Sequence, residues 1–183
     1  MLAGTRNSLL WPLMGGLLGL SISGNQIAFG QYSPEHPKVV QMVDQAVEYL
    51  VMPQRPSGSV GGEILAGYAV LLGKADRNHP FVTSAVAKAA DVIRRAAAGD
   101  KEQHILYDVA VSVMLLASYD PERYRPQLEL ARDWYMQIQR RSGGYGYLTG
   151  LNVQGGDTSQ TQYVVLALWA LKKVGVTVPS DRV

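Results

Sequence analysis

Two carboxylates in this chain stand where apolar neighbours can change their chemistry. Asp108 sits at the start of the run Tyr107-Asp108-Val109-Ala110-Val111-Ser112-Val113-Met114-Leu115-Leu116, the single acid in an otherwise apolar stretch. An acid in such surroundings keeps its proton more readily than one in water. It would serve as a cavity-lining acid. The alternative is a helix-start charge favoured by the helix dipole. Asp157 stands three residues before Gln160, a capping-box variant in which the carboxylate accepts from the amide of Gln160 while the Gln160 side chain reaches back. Tyr68, Tyr107, Tyr163 and Trp169 carry π faces that can stabilise a cation, or serve as core aromatics. Of these, Asp108, Tyr68 and Tyr163 are the candidate cavity-lining residues.

Other chemistries find no footing. With no cysteine there is no disulfide, no thiolate nucleophile and no Cys-ligated zinc. His36, His79 and His104 lie in loops or at helix starts without a second histidine at ligand spacing, so no metal site is expected and they read as solvated. Ser142 and Ser159 have no neighbouring histidine to complete a triad. Gly143-Gly144-Tyr145-Gly146 lacks the preceding strand and directly following helix of a phosphate loop. No cofactor is implied. A formal net charge of +2 spread over 183 residues makes no electrostatic footprint for nucleic acid.

The elements that would position these groups are helical. The chain is 47% hydrophobic and 17% charged, enough apolar material for one core. Residues 1–30 read as a targeting segment. Arg6 is the one charged residue before Glu35, and Leu9–Leu20 is an apolar h-region. Ala28 and Gly30 place a cleavage before Gln31, and the alternative is an uncleaved anchor, for which the apolar stretch is short. The expected localisation is exported, periplasmic or extracellular, with membrane contact through this segment only.

Residues 31–183 divide into six helices by apolar period and stop signals. They span Pro37–Met52, Gly62–Leu72 with Gly73 as the stop, Asn78–Ala98 with Asn78 as the cap, and His104–Ser118. The fifth covers Pro126–Arg141, ended by Gly143-Gly144, and the sixth starts after Asp157 and ends before Gly175. The first, third and fifth carry one apolar stripe. The second, fourth and sixth are apolar nearly all round and therefore need cover on both sides. The expected fold is all-α, with three inner helices alternating with three outer ones.

An internal repeat matches this alternation. Ala46, Tyr49, Leu50, Gln54, Gly58 and Gly61 recur 85 residues later as Ala131, Trp134, Tyr135, Gln139, Gly143 and Gly146. A degenerate middle copy, Ala89, Val92 and Ile93, lies near half that offset, and a period near 43 suits a helical-pair repeat. The aromatic would anchor an outer helix. Glutamine would donate to carbonyls left unpaired at the helix end. The glycines would let the chain turn inward, with Tyr145 or Tyr147 lying across the connection.

In these residues the chain resembles the terpenoid cyclase and protein prenyltransferase superfamily, squalene-hopene cyclases in particular. Their QW repeat reads aromatic-aliphatic-x3-Gln-x3-Gly-x-Trp. Trp134, Gln139, Gly143 and Tyr145 fit it, with Tyr135 at the aliphatic position and Tyr145 for the last tryptophan. Tyr49, Leu50, Gln54 and Gly58 form a worn copy with Val60 at the tryptophan position. Asp157-Thr158-Ser159-Gln160-Thr161-Gln162-Tyr163 is similar to the Ser-Gln-Thr-Ala-Trp stretch that opens an inner helix in those enzymes.

The likeness spans about residues 38 to 175. It implies a partial α/α toroid of three helical hairpins, where the complete ring has six around an apolar cavity. It would be a fragment, a half-ring with a partner, or an open solenoid, which a helical array of unrelated ancestry would also give. The family's Asp-x-Asp-Asp acid and its Asp-Cys-His zinc site have no counterpart here. Two functions follow. One is a cyclase-lineage domain acting on an apolar isoprenoid, with its acid supplied from elsewhere. The other is an exported, non-catalytic toroid module that binds a lipid, a peptide or a protein partner. An open half-ring would expose apolar helices, which implies self-association.

Overall fold

The computed structural model describes residues 33–52, 58–74, 76–149 and 156–179. The expected targeting segment and Gln54 lie outside these residues. The described residues form six helices and no strand: α1 Pro37–Val51, α2 Val60–Lys74, α3 Pro80–Ala97, α4 Ile105–Tyr119, α5 Arg125–Ile138 and α6 Thr158–Lys173. No described helix is long and apolar enough to cross a membrane.

Histidine starts two of them. His36 and His79 each precede a proline at the first helical position, and each turns its ring Nδ1 back to accept from a backbone amide, Lys38 N at 3.2 Å and Phe81 N at 3.2 Å. Proline at that position loses an amide that would have no partner anyway. The cap of α3 is therefore His79 rather than Asn78. These two histidines, read from the sequence as solvated, are structural, and the His-Pro pair recurs at an offset of 43 residues.

Ends obey glycine where the backbone must turn left-handed. Gly99 has φ +101° and Gly175 φ +76°, each just beyond its helix as expected. Gly73 does otherwise: α2 runs through it to Lys74. A Cβ at Gly73 would lie 2.8 Å from Val47 Cγ2, so this glycine admits α1 rather than stopping α2. The fifth helix ends at Ile138, three residues short of Arg141, because Gln139 is already extended.

α4 is the centre of the molecule. It packs against α2, α3, α5 and α6, and α3 bridges α2 and α5. Ile105, Val109, Ala110, Val113, Leu115 and Leu116 are all fully buried on it. Its all-round apolar sequence is matched by all-round cover, as its pattern requires. α2 and α6 flank it, and here the expected burial on both sides fails. Leu65 and Leu72 on α2, and Val165, Leu166 and Trp169 on α6, remain exposed. α1 is the least covered: of its apolar stripe, Val47 alone is buried. Ion pairs clip neighbours together at the surface, Lys74 with Asp44 between α2 and α1 and Lys88 with Glu63 between α3 and α2. Exposed pairs of this kind stabilise by about 0–1 kcal/mol.

Candidate functional site

The corner after α5 gathers four of the candidate residues. Trp134 and Tyr135 end the helix side by side, both buried. Gln139 caps it in extended conformation, and its Nε2 donates to the carbonyl of Gly143 at 2.9 Å. The amide thus closes the corner from across the loop. Arg140 N donates to Gly144 O, Gly143 N donates to Arg140 O, and Gly143 takes φ +85°. Tyr145 then drops inward, its ring edge-on to Tyr135 at 6.0 Å.

From there the chain is bonded to the start of α6. Tyr145 N donates to Thr161 Oγ1, and Asp157 N donates to Tyr145 O. The described residues of the earlier copy differ. Tyr49 is 58% exposed and Gly58 stands in open space. The repeat is legible in both, but α5 packs against α3 and α4, which bury its aromatics, whereas α1 packs chiefly against α2.

Asp157 caps α6 as its spacing predicts: Oδ1 accepts from Gln160 N at 2.8 Å. It also accepts from Ser159 Oγ at 2.5 Å, and Tyr107 Oη in turn donates to Ser159 Oγ at 2.6 Å. These bonds, that of Ser159 foremost, hold the Asp157 carboxyl below the usual carboxylate range. Gln160 departs from the capping box. Its side chain is fully buried and neither of its polar atoms finds a partner among the described residues, so it does not reach back. It points into the core because the third residue of α6 faces α4, and burial takes precedence over the reciprocal bond.

The starts of α2, α4 and α6 converge on a cleft of about 300 Å³. Ser59, Gly61 and Leu65 line it from α2 and its approach, Asp108 and Val111 from α4, and Tyr163 from α6. Tyr107 and His104 complete the wall, with the rings of Tyr107 and Tyr163 edge to face at 5.2 Å. Asp108 and Tyr163 therefore take the cavity-lining places expected of them. Tyr68 does not; it is half-buried against the core and lies outside this lining.

Asp108 is 5% exposed, and its carboxyl makes no hydrogen bond or ion pair among the described residues. Burial, reinforced by the charge of Glu102, pushes its carboxyl above the usual range. Gly61 makes the arrangement possible, since a Cβ there would fall 1.9 Å from Asp108 Oδ1. Among the described residues no three His, Asp or Glu side chains are grouped to hold a metal.

The raised carboxyl has a consequence for stability. Its charge is disfavoured in the folded state, so the penalty is absent below the ordinary carboxylate value and complete above the raised one. The protein's stability is expected to fall as pH rises through that acidic window, after the contribution of other groups is subtracted with Asp108→Asn. At neutral pH Asp108→Asn is expected to raise stability by about 1 kcal/mol. Urea denaturation of both proteins at several pH values measures it, and an unchanged or lowered midpoint at neutral pH would contradict the assignment.

Three stripes run out of this cleft. Residues three or four apart share a helix face, so Leu65 continues into Ala69 and Leu72 on α2, and Val111 into Met114 and Ser118 on α4. Tyr163 continues into Leu166 and Ala170 on α6. All of these beyond Val111 are exposed or half-buried. The result is an open apolar face with one buried acid at its end. Comparison of the chain with protein-family models, with curated proteins and with solved structures finds no match.

Proposed function

We propose that this chain is a partial α/α-toroid domain of the squalene-cyclase and prenyltransferase type, acting as a binding module that holds an apolar ligand along the face of α2, α4 and α6. The observation that carries this reading is the uncovered apolar stripe on α2 and on α6, the two helices that flank α4 and start with it at one cleft. Contiguous apolar surface left open in this way marks a ligand or partner site. The corner built by Trp134, Gln139, Gly143 and Tyr145 supports the family likeness. Arg6 and the apolar Leu9–Leu20 support export of the module. The exposed apolar side of α1, with Val40, Met42 and Tyr49, supports self-association.

Binding of a fluorescent apolar probe to the full chain tests the reading. Leu65→Asp and Leu166→Asp are expected to weaken it about tenfold or more, since burying one leucine stabilises by about 1.5–3 kcal/mol. Leu130→Asp, on an exposed position of α5, is expected to leave it unchanged. Equal affinity in all three variants, with unaltered circular dichroism, would rule the face out.

One observation favours a catalytic role as a second reading. Burial raises the Asp108 carboxyl above the usual range, the direction a general acid acting on an alkene needs. Incubation with squalene, followed by product analysis, decides this. Formation of a cyclised product that Asp108→Asn abolishes is the outcome expected of an enzyme, and unreacted squalene leaves the binding module.

A further inference from the structure

We propose that the cleft at the starts of α2, α4 and α6 binds a primary alkylammonium group, seated on the carboxylate of Asp108 with its carbon chain running along the open apolar face. The inference rests on the binding-module reading and specifies the ligand. Asp108 is an acceptor without a donor. It is 95% enclosed by its surroundings, opens onto the cleft, and has no hydrogen bond or ion pair among the described residues.

No side chain lining the cleft other than His104 can carry a positive charge. Two basic groups have charges that reach the carboxyl, His104 and Arg95. Arg95 is committed elsewhere, its Nη1 on Asp100 at 2.8 Å and its Nε on Asp91 at 3.4 Å. The acids near it, Glu102 and Asp100, add negative potential.

A wholly apolar ligand would strip the remaining water from this carboxylate and offer nothing in return, which is unfavourable. A ligand with N–H donors reverses the sign. An ammonium brings a countercharge and three donors, for which the Asp108 oxygens are the first acceptors and Ser59 Oγ another. Tyr107 and Tyr163 flank the same space, and aromatic faces attract such a cation by about 0.5–2 kcal/mol where water is excluded. The cleft volume of about 300 Å³ accommodates the head, and Leu65, Val111 and Leu166 offer apolar contact beyond it. Gly61 is part of the device, because a side chain there would displace the carboxylate.

The alkylammonium can come from a free long-chain amine or from a lysine side chain. Calorimetric titration of the full chain with n-butyl-, n-hexyl- and n-octylammonium, and with n-octanol, tests the proposal and separates these sources. At pH 8 the amines are charged. The octylammonium is expected to bind at least tenfold tighter than octanol. Asp108→Asn is expected to abolish that preference without weakening octanol binding, and Gly61→Ala, which moves the carboxylate, is expected to diminish it.

Affinity that climbs about fourfold per methylene through octyl points to a free amphiphile; affinity that levels at butyl points to lysine. Equal binding of octanol and octylammonium, or a preference that survives Asp108→Asn, overturns the proposal and leaves the apolar face standing. Failure of every ligand, together with failure of the apolar probe, overturns the face itself.

Discussion

Tyr135→Ala is expected to lower the stability of this protein by about 4 kcal/mol, measured by urea denaturation of the purified chain. The ring is completely buried where α5, α4 and the inward-turning Tyr145 meet. It packs against Trp134 at 5.2 Å and edge-on against Tyr145 at 6.0 Å. Truncation removes the transfer energy of the ring and leaves a cavity whose walls, two aromatics and a central helix, cannot collapse into it.

The hydroxyl contributes little by comparison. Its bond to the Leu106 carbonyl is 3.5 Å long, at the edge of what counts as a hydrogen bond. Tyr135→Phe is therefore expected to cost under about 1 kcal/mol. The neighbouring repeat supplies an internal control. Tyr49, one position off in the pair 85 residues earlier, carries its aromatic in the exposed stripe of α1. Tyr49→Ala is expected to stay within about 0.5 kcal/mol of the parent. Equal losses at Tyr135 and Tyr49 would mean that the corner after α5 is not packed as described.

The second large effect concerns a glycine that lies inside a helix. Gly67→Ala is expected to destabilise by about 2 kcal/mol, although alanine is the better helix former by about 1 kcal/mol. α2 approaches α3 so closely here that a Cβ on residue 67 would lie 2.2 Å from Ala85 Cβ. A methyl carbon cannot rotate away as the end of a long side chain can, so the helices must separate. That separation loosens Ile64, Val70 and Leu71 from the core, all of them on α2.

The paired exchange provides the decisive comparison. Gly67→Ala with Ala85→Gly relocates one methyl across the same contact and is expected to recover most of the loss, as coupled neighbours do. A double variant no more stable than Gly67→Ala alone would show that the loss arises somewhere other than this helix contact.

These residues also mark how far a one-dimensional reading extends. Helical period alone located all six helices, because apolar residues recurring at three and four positions are read the same way wherever the helix ends up. Caps and stops were legible where they depend on local chemistry: Asp157 before Gln160, Gly99 and Gly175 after their helices. The His-Pro starts at His36 and His79 were present in the text of the chain, in register with the repeat, but a ring nitrogen serving as a cap is a rarer signal than serine or aspartate. Gly73 and Gly61 were legible as glycines and nothing more. One lets α1 approach and the other makes room for a carboxylate, and both reasons lie on a different helix.

The same division holds for the candidate site. The sequence identified Asp108 and Tyr163 as residues in apolar surroundings, and it marked Trp134, Gln139, Gly143 and Tyr145 as a repeated corner. It also determined, by itself, that the chain is helical and that its even-numbered helices differ in kind from the odd ones. Only the tertiary structure decided that Tyr135 is enclosed while Tyr49 is bare. It alone decided that Gln160 is buried, and that α2 and α6 keep an apolar face open beside a fully covered α4. The physical reason is that helix formation is governed by neighbours within four positions, whereas solvent exclusion depends on which distant surface arrives to cover each face. A residue's type states what it can do once water is removed, and the packing of α2, α4 and α6 determines from which residues the water is removed.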